Sequence, residues 1–208
     1  MWASQDAMKL NVPTPTIDIA VAMRNLSAMK SERTQASQLT DVSPHVFSGE
    51  TKRFIEQLRN SLYAGMIITY TQGFHQLYKA SREYEYNLDL ETVARIWRGG
   101  CIIRSALLEK IRSANQKNPD LPNLLLDDFL GKEVYSRRDD LGVIVKAAAD
   151  LHIPAPGLMV SLGYMDAFRS SWLPANLIQA QRDYFGSHTY ERIDAKGVFH
   201  TNWKQKSS

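Results

Sequence analysis

Three cationic residues, Arg24, Arg182 and His188, have the chemistry needed to bind an anion. Arginine stays protonated at working pH and holds a carboxylate or phosphate through paired N–H donors, and histidine adds one or two donors. We predict that Arg182 lies in the last turn of a helix after Pro174, and that Gly186 ends this helix in the left-handed conformation. His188 follows directly, so the spacing predicts that its side chain and that of Arg182 converge on one anion.

Arg24 belongs to a segment, Ile17–Met29, that is apolar on nearly every side, so the sequence predicts a buried helix. A buried guanidinium needs a carboxylate, a carbonyl or a ligand phosphate as its partner. Asp18, or a carboxylate on another helix, is the alternative to a ligand. For Arg182 and His188 the alternative is the helix macrodipole, since cations are favourable near any helix C-terminus. The residues alone leave both alternatives open.

The stretch "WRGGCIIRS" combines two adjacent glycines with a cysteine and two arginines. We interpret Cys101 as a small buried hydrophobic residue and not as a nucleophile, because free cysteines are among the most buried residue types. Arg98 and Arg104 are expected to be structural and to pair with acids such as Asp127 or Asp128 in the stretch "LLLDDF". This segment is therefore not assigned to the anion site.

Other kinds of chemistry have little support in the sequence. The single cysteine excludes an intrachain disulfide and a cysteine-based zinc site, and no Gly-x-Gly-x-x-Gly fingerprint for a dinucleotide occurs. We therefore expect no cofactor-binding or metal-binding residues in this chain. The five histidines lie far apart and lack the spacing of metal ligands: His45, His75, His152, His188 and His200.

Composition and charge narrow the class of protein. The 208 residues, 44% of them hydrophobic, suffice for one sizeable core. The 25 basic and 22 acidic residues are interspersed and give a formal net charge of +3, so the chain lacks the basic stripe of a nucleic-acid-binding protein. No apolar run is long enough to cross a membrane, and no export signal is evident. We expect a cytoplasmic protein that binds neither nucleic acid nor membrane.

Helical periodicity dominates the chain. Apolar residues from Phe54 to Leu77 recur every three or four positions, which predicts one long helix from about Thr51 to beyond Lys79. Strand-like alternation occurs only at 198–203, so we predict an all-α fold with a short extended C-terminal tail. The other predicted helices are Leu90–Ile96 with Asp89 as its cap, Cys101–Ser113, Lys132–Leu151, Gly157–Trp172 and Pro174–Phe185.

Two segments of the chain resemble each other. The stretch "LNVPTPTIDIAVAMR" from Leu10 is similar to "LHIPAPGLMVSLGYMDAFR" from Leu151, and each has a Pro-x-Pro turn before an apolar helix that carries an arginine. We interpret the similarity as an internal duplication. The alternative is that Pro-x-Pro is simply a common sequence before helices.

Four stretches, "VPTPTIDIAVAMR", "WRGGCIIRS", "LLLDDF" and "QRDYFGSHTYE", closely resemble the C-terminal helical domain of decarboxylating 6-phosphogluconate dehydrogenases. The resemblance runs from about Trp2 to Trp203. It implies that Arg24 contacts the sugar-phosphate substrate, and that Arg182 and His188 hold the substrate phosphate across a homodimer interface. It also implies a helical domain over residues 1–193 and a tail, residues 194–208, that docks on a partner subunit.

The resemblance further implies an activity, the oxidation of 6-phosphogluconate by NADP and its decarboxylation to ribulose 5-phosphate. In that family an N-terminal Rossmann domain binds NADP and supplies a catalytic lysine and glutamate, and this chain contains no match to that domain. We expect the chain alone to be inactive and to contribute 6-phosphogluconate binding and homodimerisation. Two alternatives remain, a stand-alone helical interaction module and a related β-hydroxyacid dehydrogenase.

Overall fold

The computed structural model describes residues 2–39 and 45–203, and helices dominate this part of the chain. The prediction of an all-α fold is confirmed. The chain forms two compact units, one up to residue 166 and one from residue 167. In chain order the helices are α1 (Trp2–Lys9), α2 (Pro15–Ala28), α3 (Lys30–Ser37), α4 (Thr51–Glu83), α5 (Leu90–Trp97), α6 (Leu107–Lys117), α7 (Asp128–Tyr135), α8 (Arg138–Asp150), α9 (Pro156–Phe168) and α10 (Asn176–Gly186).

Three short elements complete the described chain. A 3-10 turn, Leu124–Leu126, precedes α7. In the second unit, strands β1 (Tyr190–Glu191) and β2 (Val198–Phe199) pair antiparallel, with Tyr190 opposite Phe199. None of the described helices combines the length and the apolar character that crossing a membrane requires.

The first unit is assembled on α4, which forms where the apolar periodicity predicts it. The helix begins after Glu50, whose carboxylate accepts hydrogen bonds from the backbone N–H groups of Lys52 and Arg53 at 2.8 and 2.7 Å. Its main packing partner is α8. Many side chains on the buried face of α4 are small or polar, which lets other elements approach closely. The residues of this face are Ser61, Ala64, Gly65, Ile67, Ile68, Thr71, Gln72, Phe74, Gln76 and Ala80.

The regular apolar stripe of α4 is not its buried face. Leu62 and Met66 are exposed, whereas Phe74, farther along the stripe, is buried. Together with Tyr70 and Leu77, the two exposed residues line an open groove of about 930 Å³. The core lies instead on the other side of α4, and its largest fully buried apolar side chains include Ile67, Ile68, Leu108, Ile111, Leu124, Leu130, Leu141 and Met165.

Two predicted helices have different bounds in the structure. The predicted helix Cys101–Ser113 begins only at Leu107, whose N–H donates to the hydroxyl of Ser105 at 3.1 Å. The preceding residues form turns, because Gly100 has a φ of +73° and the hydroxyl of Tyr70 binds the carbonyl of Ile103. The predicted helix over residues 132–151 is two helices, α7 and α8, separated at residues 136–137.

The remaining helix predictions are correct in type and differ mainly at their ends. α5 follows Asp89, whose carboxylate caps it by accepting a hydrogen bond from the N–H of Glu91 at 3.1 Å. α9 ends at Phe168, before the predicted Trp172, and α10 begins at Asn176 instead of Pro174. The first and third helices, α1 and α3, have no counterpart among the predicted elements.

The prediction that the helix carrying Arg24 is buried is wrong for the described chain. α2 contains no buried residue, and Arg24 itself is exposed. The reason is that only one side of α2 packs against the unit, so that apolar residues such as Val21 are half-buried. The alternative partner Asp18 accepts hydrogen bonds from the hydroxyl of Thr14 at 3.1 and 3.2 Å, and no described residue forms an ion pair with Arg24.

The two Pro-x-Pro segments have the same backbone geometry. Asn11 and His152 both adopt positive φ, 54° and 56°, just before the Pro-x-Pro segments. The next residues, Val12 and Ile153, each donate a hydrogen bond of 2.8 Å to the carbonyl five residues earlier, the bond that defines a Schellman helix end. This shared pattern is what an internal duplication would produce, and the duplication itself stays a prediction.

A buried glutamine connects α4 to the start of α2. The N–H of Thr16 donates to Oε1 of Gln72 at 2.9 Å, and Nε2 of Gln72 donates to the Thr16 hydroxyl at 3.0 Å. The same hydroxyl lies 3.0 Å from that of Ser161 on α9. Since Gln72 is fully buried, this network fixes the start of α2 on α4 and links it to the middle of α9.

We expect Gln72→Ala to lower the free energy of unfolding by about 1–3 kcal/mol, because it leaves the part-buried N–H of Thr16 without its acceptor. Urea denaturation monitored by circular dichroism measures this change. Gln116→Ala is the matched control, since Gln116 is exposed on α6. Equal losses in the two variants would contradict the role assigned to Gln72.

Candidate anion-binding site

Two of the three predicted binding residues lie at one end of α10. Arg182 is in the last turns of this helix, and His188 follows it after one intervening residue, Ser187. Arg24 lies in the first unit, on α2. The candidate site described below is therefore the C-terminal end of α10, within the second unit.

The end of α10 differs from the prediction in one detail. Gly186 is the last helical residue, and Ser187, with a φ of 50°, adopts the left-handed conformation in its place. Thr189 also has a positive φ, 64°. Such conformations cost residues that carry a side chain about 1–2 kcal/mol each. They are especially rare for β-branched residues such as threonine. His188 thus lies between two strained backbone positions that the surrounding structure must hold.

Gly186 has a different role from the one predicted. A Cβ atom added to Gly186 would lie 2.6 Å from Nε2 and 2.7 Å from Cδ2 of His188. Both distances are far below van der Waals contact, so the imidazole occupies the space that only glycine leaves open. The absence of a side chain at this position allows the His188 ring to lie there.

The structure brings Arg182 and His188 to the same helix end without joining their side chains. The backbone N–H of His188 donates a long bond of 3.5 Å to the carbonyl of Arg182. The guanidinium of Arg182 donates to Oε1 of Gln179 at 2.9 Å. Both cationic side chains are exposed, so both are open to a ligand from solution.

Sequence analysis missed the most strongly bonded residue of this region, Asp183. Its side chain has no solvent-exposed surface, although it follows the exposed Arg182. Four donors bind its two oxygens. Oδ1 accepts from the N–H of Thr189 at 3.1 Å and Nδ1 of His200 at 2.8 Å, while Oδ2 accepts from the N–H of Thr201 and Nε1 of Trp203, both at 2.9 Å.

These contacts determine the charge on Asp183. Burial by itself would raise the pKa of the Asp183 carboxyl. The hydrogen bonds from His200, Thr201 and Trp203 outweigh burial and lower this pKa from 3.8 to about 2. The carboxylate is therefore ionised at neutral pH, and His200 must donate through Nδ1. Because the folded pKa is the lower one, the ionised carboxylate stabilises the fold above about pH 4, and this contribution is lost as pH falls toward 2.

Further contacts place the hairpin and the end of the described chain beside α10. The hydroxyls of Tyr190 and Thr201 lie 2.7 Å apart, and the rings of Tyr184 and Trp203 pack edge to face with centroids 5.6 Å apart. The tail is thus attached to its own helix α10 as far as Trp203. Residues 204–208 of the predicted tail lie outside the described residues.

The first unit offers two grooves near predicted residues. Arg24 and the apolar face of α2 line an open groove of about 720 Å³, which extends to Pro154 and Gly157. The larger groove along α4 is lined mainly by apolar side chains, including Ile102, and Arg104 is the charged residue at its edge. Both grooves are mainly apolar and each contains one arginine, so the lining alone does not single out either of them for a sugar phosphate.

The stretch "WRGGCIIRS" forms different contacts from those predicted. Arg98 pairs with Glu109 on α6, not with Asp127 or Asp128, because the turn before α6 brings these two residues together. Asp127 instead caps α7 by accepting from the N–H groups of Phe129 and Leu130 at 3.1 and 2.9 Å, and Asp128 pairs with a lysine. Arg104 is exposed, and Cys101 is half-buried instead of buried.

The described residues do not fit a metal or dinucleotide site. Across residues 2–39 and 45–203, no three potential metal ligands come together. A Rossmann-type site needs a glycine-rich turn between a parallel strand and a helix, and the strands described here form only a two-residue antiparallel hairpin. We therefore assign no cofactor contact to this chain.

Comparison with known proteins identifies the family. A family model described as the C-terminal domain of 6-phosphogluconate dehydrogenase matches residues 1–203. The chain belongs to this family. The finding confirms the resemblance seen in the sequence, and members of the family provide the following comparisons.

Curated 6-phosphogluconate dehydrogenases match nearly the whole chain. The decarboxylating enzyme of Staphylococcus aureus (strain N315) is 46% identical over 202 residues, which cover 97% of this chain and 43% of that protein. The enzyme of Staphylococcus epidermidis is 45% identical over 205 residues, covering 99% of this chain and 44% of that protein. The chain therefore spans less than half the length of the relatives that it matches.

A solved structure has the same fold. It is the 6-phosphogluconate dehydrogenase of Plasmodium falciparum, described in its apo form, with its cofactor NADP⁺ and with its substrate 6-phosphogluconate. It matches this chain with a TM-score of 0.90 and 40% sequence identity, and the match covers 97% of this chain and 44% of that one. The helical architecture described above is thus that of the family.

We expect Gly186→Ala to displace the His188 ring while leaving α10 intact, because Gly186 has helical backbone angles and only the imidazole occupies its open side. Carbon–proton correlation spectra of the histidine rings measure this displacement. The shifts of His188 should change while those of His75, which belongs to the first unit, stay constant.

Gly163→Ala is the control for this experiment, since no atom lies within 4 Å of a Cβ added to Gly163 on α9. This variant should leave the His188 shifts unchanged. An unmoved His188 signal in Gly186→Ala would show that the ring does not depend on the glycine.

Proposed function

We propose that this chain forms the substrate-phosphate-binding and dimerisation part of an enzyme that oxidatively decarboxylates 6-phosphogluconate to ribulose 5-phosphate, with NADP as the oxidant. The observation that carries the proposal is the position of Arg182 and His188 at the end of α10, within a family match that covers residues 1–203. The phosphate of 6-phosphogluconate is the ligand assigned to these two side chains.

The chemistry of the two residues supports this assignment. Arginine binds phosphate through two parallel N–H donors, and a protonated imidazole adds a third charge-assisted bond. Both side chains are exposed, and the only described partner of the Arg182 side chain is the neutral Gln179, which a dianionic phosphate can replace. Arg24 lies on α2, and no described carboxylate forms an ion pair with it. We propose that it also contacts a sugar-phosphate substrate.

NADP binding is assigned to a domain outside this chain, since the described residues do not fit a dinucleotide site. The curated relatives are longer than this chain, which is consistent with such a domain in the complete enzyme. The Plasmodium enzyme is described with NADP⁺, which supports NADP as the cofactor. A cytoplasmic location is proposed from the sequence, which has one cysteine and thus no intrachain disulfide.

The surface of the second unit supports the proposal of a homodimer. Large apolar side chains are exposed on both α10 and the hairpin, such as Phe185 at 80% and Ile193 at 80% exposure. Surfaces of this kind are uncommon on monomers and are typical of protein interfaces. A second copy of the chain is the partner that we propose for this surface.

We expect Arg182→Ala to weaken 6-phosphogluconate binding about tenfold to a hundredfold, because charge-assisted hydrogen bonds contribute about 1.5–3 kcal/mol. Isothermal titration calorimetry on the full polypeptide that contains this chain measures the dissociation constant. Arg59→Ala is the control, since Arg59 forms only an exposed ion pair with Glu56 and should leave binding unchanged. A loss below about threefold in Arg182→Ala would argue against the phosphate contact.

We expect deletion of the chain from Val198 onward to weaken dimerisation, because it removes β2 and three of the four donors to Asp183. Light scattering over a dilution series measures the dimer mass. Deletion from Lys204 onward is the matched control, as it retains β2 and all four donors. A dimer mass that the deletion from Val198 onward leaves unchanged would show that the tail does not contribute to the dimer interface.

A further inference from the structure

We propose that Asp183 is the positioning residue of the anion site: its carboxylate holds the turn that carries His188 and thereby fixes this histidine relative to Arg182. The inference rests on the proposed function, because it assumes that the two cations bind the substrate phosphate. It goes beyond that function by assigning a role to a residue that itself contacts no substrate.

The arrangement of neighbours in the chain provides the first argument. Asp183 follows Arg182, and its Oδ1 accepts a hydrogen bond from the N–H of Thr189, the residue after His188. The direct backbone bond between Arg182 and His188 is long, at 3.5 Å, so it is a weak tether. The N–H of Ser187 donates to the carbonyl of Asp183 at 2.9 Å at the start of the turn, and the Asp183–Thr189 bond is the connection that holds the turn beyond His188.

The conformation of the turn provides the second argument. Ser187 and Thr189 both have positive φ, a conformation that residues with side chains avoid unless other contacts impose it. The bond from Thr189 to Asp183 is such a contact. Without it, the turn could relax, and the His188 ring would leave its place over Gly186.

The tail provides the third argument. His200, Thr201 and Trp203 donate the other three hydrogen bonds to Asp183, and all three residues lie beyond β2. These donors fix the carboxylate in one orientation, so that Oδ1 points at Thr189. The tail therefore supports the anion site through Asp183, although no tail residue needs to touch the substrate.

The direction of the side chains shows how Asp183 can act without competing for the ligand. Successive residues on a helix point about 100° apart, so Arg182 faces solvent while Asp183 faces the interior. All four donors are directed at its two oxygens. Its oxygens are occupied by these donors and not by Arg182, whose guanidinium contacts Gln179 and stays available to the substrate.

The principal test is Asp183→Asn in the full polypeptide that contains this chain, with 6-phosphogluconate as the ligand. An amide has one carbonyl oxygen and no charge, so its NH₂ group faces two of the four donors and the remaining hydrogen bonds lose their charge assistance, which weakens the hold on the turn. We expect the dissociation constant from calorimetry and the KM to rise about tenfold, with kcat changed less than about twofold. Asp194→Asn, which removes an exposed ion pair with Arg192 in the same unit, should change neither constant.

A double-mutant cycle separates positioning from general damage to the fold. If Asp183 acts through His188, Asp183→Asn should weaken binding less than about threefold once His188→Ala is present. A merely structural role would give the same loss in both backgrounds. Trp203→Phe provides a milder version of the test, because it removes one donor to Asp183 and retains the aromatic ring. It should give a smaller loss that also disappears with His188→Ala.

The outcomes distinguish this inference from the proposed function. Both the inference and the proposed function are supported if the wild type binds 6-phosphogluconate tightly, Asp183→Asn weakens this binding, and the weakening disappears when His188→Ala is also present. Tight binding by the wild type that persists in Asp183→Asn, or an equal loss in both backgrounds, overturns the inference and leaves the proposed function standing. A wild-type protein that does not bind 6-phosphogluconate overturns the proposed function, and the inference with it.

Discussion

The close approach of other elements to α4 is the constraint on which the first unit depends. Much of its buried face is small or polar, and a fully buried glutamine, Gln72, satisfies the backbone at the start of α2. A larger residue on this face would force the neighbouring helices apart, and an apolar one at position 72 would leave the Thr16 N–H without its acceptor. The position of Arg24 on α2 thus depends on polar contacts at Thr16, about two turns of helix away. A surface residue can in this way depend on the interior.

The second unit is held together by a different principle. Over residues 167–203 no apolar side chain is fully buried, and the buried side chain of this stretch is the carboxylate of Asp183. A buried charge is costly unless its hydrogen-bonding capacity is satisfied, and here four N–H donors from two chain segments, the turn at Thr189 and the tail at 200–203, provide this. Because the bonds are directional, they determine the path of the hairpin and the tail more closely than apolar packing would. Many apolar side chains of this unit consequently remain at the surface, where they are available to a partner.

Sequence analysis predicted the elements that depend on local patterns and missed the features that depend on distant contacts. α4 is correctly predicted because its periodicity persists over many turns, and α5 because Asp89 is a local cap. The start of α6 is set by Ser105 and by a contact with Tyr70, which no local pattern reveals. Periodicity likewise failed to show which face of α4 is buried, since the interior selects small residues there and the larger apolar ones line the groove. Asp183 gave no signal because its partners lie six to twenty residues away and an acid on a helix is ordinarily exposed.

The proposed anion site lies where the helix itself is unfavourable for an anion. The C-terminal end of a helix carries a partial negative charge, which repels a phosphate. At the end of α10, the cation of Arg182 and the imidazole of His188 oppose this charge, and Ser187 turns the chain so that the imidazole stays beside the helix end. A carboxylate next to Arg182 would undo this balance if it were exposed. The carboxylate of Asp183 is instead buried and bound by four N–H donors, so it does not pair with Arg182. The same carboxylate holds the turn, so that one residue orders the site without occupying the cation that attracts an anion.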